Sequence, residues 1–159
     1  MRFAGMIKND FSAAPGVCLT FFVQGCPIKC PGCHNPETWD PAGGKEFTPD
    51  ILDEIERGIL ANGIQRTLCI MGGEPLCQDN IFLTTIIITE MVKRIPNLKI
   101  WIWTGYDYDY IKNNASNPKI QHILETVNGL VTGPYVKSLR DITLPMRGSK
   151  NQEIIKLKD

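Results

Sequence analysis

Neither sign of charge is in excess: 17 Lys and Arg stand against 17 Asp and Glu. A nucleic-acid binder needs a basic surplus to displace phosphate counterions, so no nucleic-acid partner is expected. Long apolar runs are also missing. The longest, Ile81–Ile88, is interrupted by Thr84 and Thr85, well short of the ~20 residues of a membrane helix. The first ten residues carry Arg2, Lys8 and Asp10 and lack the apolar centre of a secretory signal. A cytoplasmic protein with no membrane partner is expected. Repeats, low-complexity tracts and composition breaks are absent. The 159 residues therefore suit one domain, residues 1–159. At 43% hydrophobic and 21% charged, the chain has the composition of an ordinary globular protein and not of a disordered one.

What is present alternates. A strand is expected near Arg2–Phe11, and a second over Cys18–Gln24, where β-branched and aromatic residues concentrate. Gly25–Gly44 is rich in Pro and Gly and reads as a long loop, a kind usually tied to function. Thr48-Pro49 marks a helix start, and Asn62-Gly63 its end. Strands are then expected at Arg66–Met71, Leu98–Thr104 and Gly129–Thr132, with a last one within Gln152–Lys158. Helices are expected at Asn80–Arg94, Tyr108–Asn113 and Pro118–Thr126. Trp101 and Trp103 share one face of their strand and are read as packing residues. This order predicts βαβ units and a mostly parallel sheet. The fold expected is α/β, a small open and incomplete (β/α) barrel. Ligands of such sheets collect at the carboxyl ends of the strands. The long loop, Gly72-Gly73-Glu74-Pro75 and Thr104–Tyr106 all follow expected strand ends.

Six cysteines are present: Cys18, Cys26, Cys30, Cys33, Cys69 and Cys77. In a reducing compartment, clustered cysteines point to metal and not to disulfides. Cys26, Cys30 and Cys33 have the spacing C-x3-C-x2-C inside the Pro/Gly-rich loop. A closed zinc site takes four ligands, and an electron-carrier cubane takes four cysteines. Three thiolates on a [4Fe–4S] cluster leave one iron open. A zinc site completed by Cys18, Cys69, Cys77 or His122 is the alternative. The remaining thiols Cys18, Cys69 and Cys77 read most simply as buried. Gly72 and Gly73 let a ligand approach the backbone, and Glu74 offers a carboxylate to a cationic amine.

The C-x3-C-x2-C motif after an N-terminal strand resembles that of the radical S-adenosylmethionine (SAM) enzymes. Gly16–Trp39 is similar to the activases of glycyl radical enzymes. Ile102–Tyr106 and Arg147-Gly148-Ser149-Lys150-Asn151-Gln152 resemble the branch that activates anaerobic ribonucleotide reductase. The resemblance spans about residues 13–155. It implies a [4Fe–4S] cluster on Cys26, Cys30 and Cys33, and SAM held by Gly72, Gly73 and Glu74. Gly32, Cys33 and His34 would meet the adenine. No catalytic side chain beyond these cofactor ligands is implied. The implied partners are the large reductase subunit, which receives a glycyl radical, and an electron donor such as a flavodoxin or ferredoxin. Arg147–Gln152 would serve partner docking or site closure.

Three positions depart from the family pattern. Ala13-Ala14-Pro15-Gly16 lacks the usual Asp, Cys18 stands where an Arg is common, and Thr132 stands where an Asp is common. Two other functions compete. One is a radical SAM enzyme acting on a small molecule, as in deazapurine synthesis. The other is a non-enzymatic zinc or iron–sulfur module.

Overall fold

The computed structural model describes residues 1–159. Strand β1 (Arg2–Asp10) runs antiparallel to β2 (Cys18–Val23) and, on its other side, to the two-residue β3 (Lys45–Glu46). Strands β4 (Thr67–Gly72), β5 (Ile100–Trp103) and β6 (Gly129–Thr132) follow beside β2, all parallel. Strand β7 (Glu153–Lys156) returns antiparallel to β6. The open sheet has the order β3-β1-β2-β4-β5-β6-β7. Its centre is parallel as expected, and its edges are antiparallel. Both antiparallel connections lack an intervening α-helix, so the chain turns back without the crossover that parallel pairing requires.

The helices are α1 (Pro49–Ile59), α2 (Ile81–Arg94), α3 (Tyr108–Asn113) and α4 (Pro118–Thr126). Pro49 opens α1 as expected, but the Thr48 side chain makes no capping hydrogen bond. Asn62 and Gly63 adopt left-handed backbone after the helix. Asn117 does cap α4, accepting from the Lys119 N–H at 2.9 Å. The run Thr84–Thr89 has low helix propensity, a handicap of at most ~0.7 kcal/mol per residue. Ile87 and Ile88 are fully buried, and each such side chain contributes about 1.5–3 kcal/mol. Burial therefore wins, and α2 stays helical throughout. No helix is long and apolar enough to cross a membrane.

One face of the sheet carries the main core. Leu19, Phe21, Leu68, Ile70, Ile100, Ile102 and Leu130 pack there against Ile55, Ile59, Leu83, Ile87, Met91 and Ile123 of the helices. Side chains of opposite parity point to the other face. There Cys18 and Cys69 are buried with Ala13 and Ala14, while Met71, Trp101, Trp103 and Met146 pack around them. The tryptophans share a face, as expected, but it is this second one, and they are only half-buried. The total accessible surface is 8167 Å², close to the ~8,000 Å² that area scaling gives for this mass.

Candidate metal and cofactor site

The site is assembled where β2, β4 and β5 end. β2 runs into the cysteine loop, which is folded back on itself by backbone bonds from Gly25 N–H to Thr38 (2.6 Å) and from Cys26 N–H to Trp39 (3.1 Å). The buried Gln24 side chain donates to the carbonyls of Glu37 (3.0 Å) and Asp40 (2.8 Å). These bonds fix both limbs of a segment that has little regular structure of its own. Within it, the Cys33 N–H donates to the Cys30 carbonyl at 3.0 Å, and the Asn35 N–H donates to Cys33 Sγ at 3.4 Å. Burial pushes the Cys26 thiol up, while backbone N–H groups of Lys29 and Ile28 pull the other way. Metal ligation, which needs the thiolate, would release a proton there.

β4 ends in the second loop. Gly72 has φ +112°, and a Cβ on it would stand 2.8 Å from the Phe22 backbone. A Cβ on Gly73 would overlap the Gly25 carbonyl. Only glycines let the two loops touch backbone to backbone. The contact is sealed at the Gly25 oxygen, which accepts from the Glu74 N–H (2.8 Å) and from Asn80 Nδ2 (2.9 Å). Asn80 also donates to the Glu74 carbonyl at 3.1 Å.

The Glu74 side chain is only 1% exposed. Its Oε1 accepts from Thr104 Oγ1 (2.7 Å) and the Leu76 N–H (3.0 Å), and its Oε2 from the Gly105 N–H (2.7 Å). Burial raises its pKa to about 7 against these three hydrogen bonds. An ionised carboxylate has about four acceptor positions, so one remains free for a ligand. A cationic amine would supply the charge that burial withholds.

Cys26, Cys30, Cys33, His34, Gly72, Gly73 and Glu74 all line one cavity of about 500 Å³. Gly32 does not line it; its α-carbon is covered by the Lys137 stem, and Tyr135 lies beyond. His34 is exposed, with its ring 5.3 Å from that of Tyr135. None of the four candidate fourth ligands lines the cavity. Cys18 and Cys69 are fully buried, and Cys77 is nearly so. His122 is bonded to Thr89 Oγ1 at 2.9 Å. No three His, Cys, Asp or Glu side chains converge closely enough to hold a single bare ion. The donor set is three free thiols around an open cavity, which fits a cluster with one iron left accessible.

Several parts of this site follow from no short motif. Asn80 and Gln24 tie the loops together from outside the cysteine motif. Thr104 and Gly105 line the cavity at the end of β5, as a ligand site at the strand ends predicts, and they also hold Glu74. Arg147 also lines the cavity, reached by a chain excursion between β6 and β7. The departures at Ala13, Ala14 and Cys18 fall together in one small packed group. Thr132 is 2% exposed.

Residues 13–155 match the family described as "4Fe-4S single cluster domain". The chain is 34% identical over 155 residues to the anaerobic ribonucleoside-triphosphate reductase-activating protein of Salmonella typhimurium, covering 97% of each chain. It is 34% identical to the protein of that name from Escherichia coli K12, covering 91% of this chain and 92% of that one. With the namesake from enterobacteria phage T4 the identity is again 34%, covering 97% and 93%. The chain therefore belongs to the anaerobic ribonucleoside-triphosphate reductase-activating protein family.

Proposed function

We propose that this chain is a radical SAM activating enzyme that installs a glycyl radical on the large subunit of an anaerobic ribonucleoside-triphosphate reductase. The observation that carries the reading is the placement of three free thiols and a buried carboxylate in the wall of one cavity at the ends of adjacent parallel strands. The names of the relatives supply the partner. Residues 1–159 would act as one domain, an incomplete barrel of radical SAM type.

Cys26, Cys30 and Cys33 would hold the [4Fe–4S] cluster. With SAM bound beside it, the cluster would supply the one-electron reduction of the sulfonium that starts hydrogen-atom abstraction. Glu74 would hold the ammonium group of SAM, and its three existing hydrogen bonds keep the carboxylate from rotating away. Gly72 and Gly73 would bring backbone up to the ligand. Cys33 and His34 would meet the adenine, with Gly32 setting the turn beneath them. The hydrogen atom comes from the α-carbon of a glycine on a partner loop entering the cavity. A soluble one-electron carrier of flavodoxin or ferredoxin type would feed the cluster, in an anaerobic cytoplasm.

The test is anaerobic. The reconstituted protein is reduced, given SAM and assayed for 5′-deoxyadenosine by chromatography, with Cys26→Ala as control. The large subunit is then added and the electron paramagnetic resonance spectrum recorded. Product that the control abolishes, with a glycyl doublet, supports the proposal. A competent large subunit that shows no doublet rules out the partner assignment.

A further inference from the structure

Arg147 is the only Lys or Arg among the residues lining the cavity, which also include two acids, Asp10 and Glu74. Asp10 is engaged by Thr20 Oγ1 (2.6 Å) and by the Ser12 N–H (2.8 Å) and hydroxyl (2.7 Å). An anionic ligand group would be repelled by both acids and attracted to one place only.

The guanidinium itself is under-used. One terminal nitrogen donates to the Gln152 carbonyl at 2.8 Å. Its Nε is buried and has no partner. A guanidinium offers five donors in a planar fork matched to carboxylate. Leaving a charged donor unmade in a buried place is costly. Asp141, whose carboxylate feels this charge, is already bonded to the Thr143 N–H and hydroxyl.

The position also fits. Gln152, which holds Arg147, donates through Nε2 to the Gly133 carbonyl just past the end of β6. Gly105, which holds Glu74, lies just past the end of neighbouring β5. Arg147 and the Glu74 carboxylate are thus anchored to the ends of neighbouring strands and line the same cavity. An α-amino acid head carries one group for each of them, a carboxylate for the guanidinium fork and an ammonium for the carboxylate. Beside Arg147, Gly148 packs on the Tyr135 ring, which faces His34 next to the last cluster cysteine.

We propose that Arg147 binds the α-carboxylate of SAM, with Glu74 taking the α-ammonium. This rests on the SAM reading above. It assigns the arginine of the Arg147–Gln152 segment to the cofactor side of the cavity and not to the partner.

The probes are SAM and decarboxylated SAM, which differ by the carboxylate alone. Binding is measured by calorimetry on anaerobic, cluster-reconstituted protein with the cluster oxidised, so that nothing turns over. Arg147→Gln should raise the Kd for SAM roughly 10- to 100-fold and leave that for decarboxylated SAM unchanged. Arg147→Lys, which keeps charge but loses the fork, should fall between. Equal weakening for both probes would mean that Arg147 merely shapes the wall, and would overturn the proposal. So would equal binding of SAM by Arg147→Gln and the unaltered protein. If Arg147→Gln does not fold, Arg147→Lys decides: selective weakening for SAM supports the proposal, and no selectivity overturns it. Failure of the unaltered protein to bind either probe would remove the SAM reading itself.

Discussion

The carbonyl oxygen of Gly25 and the side-chain amide of Asn80 are 2.9 Å apart, and this contact joins the loop of the cysteines to the loop of Glu74. Asn80 is 2% exposed and lies 55 residues from Gly25 in sequence. It positions two loops and would itself touch no ligand.

Asn80→Ala should cost about 1–3 kcal/mol of stability, because the Glu74 carbonyl loses a buried donor. The two loops should also separate more readily. Chemical denaturation reads the first effect, and a faster loss of iron from the reconstituted protein to a chelator reads the second. Unchanged iron retention would show that the loops hold their places without the amide.

Gly73→Ala places a methyl group onto the Gly25 carbonyl. Backbone cannot yield as a flexible side chain does, so a destabilisation of about 1–3 kcal/mol or more is expected. Gly63 has open space around its α-carbon but a left-handed φ of 71°, so its Ala variant isolates backbone strain from overlap. Thermal denaturation should show Gly73→Ala as the more harmful change.

Glu74 makes stability depend on pH. Its folded pKa of about 7 lies above the ordinary 4.5, so the folded state binds the proton more tightly than the unfolded chain. The stabilisation from this group is fully present below pH 4.5 and is lost as pH rises through 7. The difference of about 2.5 pH units (7 − 4.5) corresponds to roughly 3 kcal/mol. Urea denaturation of the cluster-free protein between pH 4.5 and 8 should show this decline, and Glu74→Gln should flatten it. A ligand ammonium reverses the preference, so SAM binding should tighten with rising pH over the same range.

Single Ala substitutions at Cys26, Cys30 and Cys33 should each sharply reduce iron after reconstitution. Cys77→Ala should keep its iron, since that thiol lies outside the cavity. Iron and zinc analysis of all four proteins, with visible absorption, checks this. Full iron in Cys30→Ala would remove Cys30 from the ligand set.

Much of the sheet could be read from sequence because local signals coincided with its elements. The Gly129–Thr132 strand and the Tyr108–Asn113 and Pro118–Thr126 helices fall where expected, each bounded by Gly, Asn or Pro. β3 has two residues, too few for any period. The antiparallel edges depend on where the chain turns back, which composition does not encode. Trp101 and Trp103 could be assigned to one face, but which face was set by the helices covering the other. The cysteine motif is contiguous and therefore visible. The bonds from Thr104 and Gly105 to Glu74 cross about 30 residues of chain and exist only after β4 and β5 pair.

Ala13, Ala14, Cys18 and Cys69 occupy one shared volume beneath the cavity, and the Cys18 thiol lies 3.6 Å from the Ala14 carbonyl. None of these positions has room to change independently. An arginine at Cys18 would find Asp10 opposite it on β1 but would need extra space against Ala13, Ala14 and Cys69. A bulkier residue at any one of the four must therefore push its neighbours aside, which makes this small apolar patch the stiffest part of the floor under the cavity.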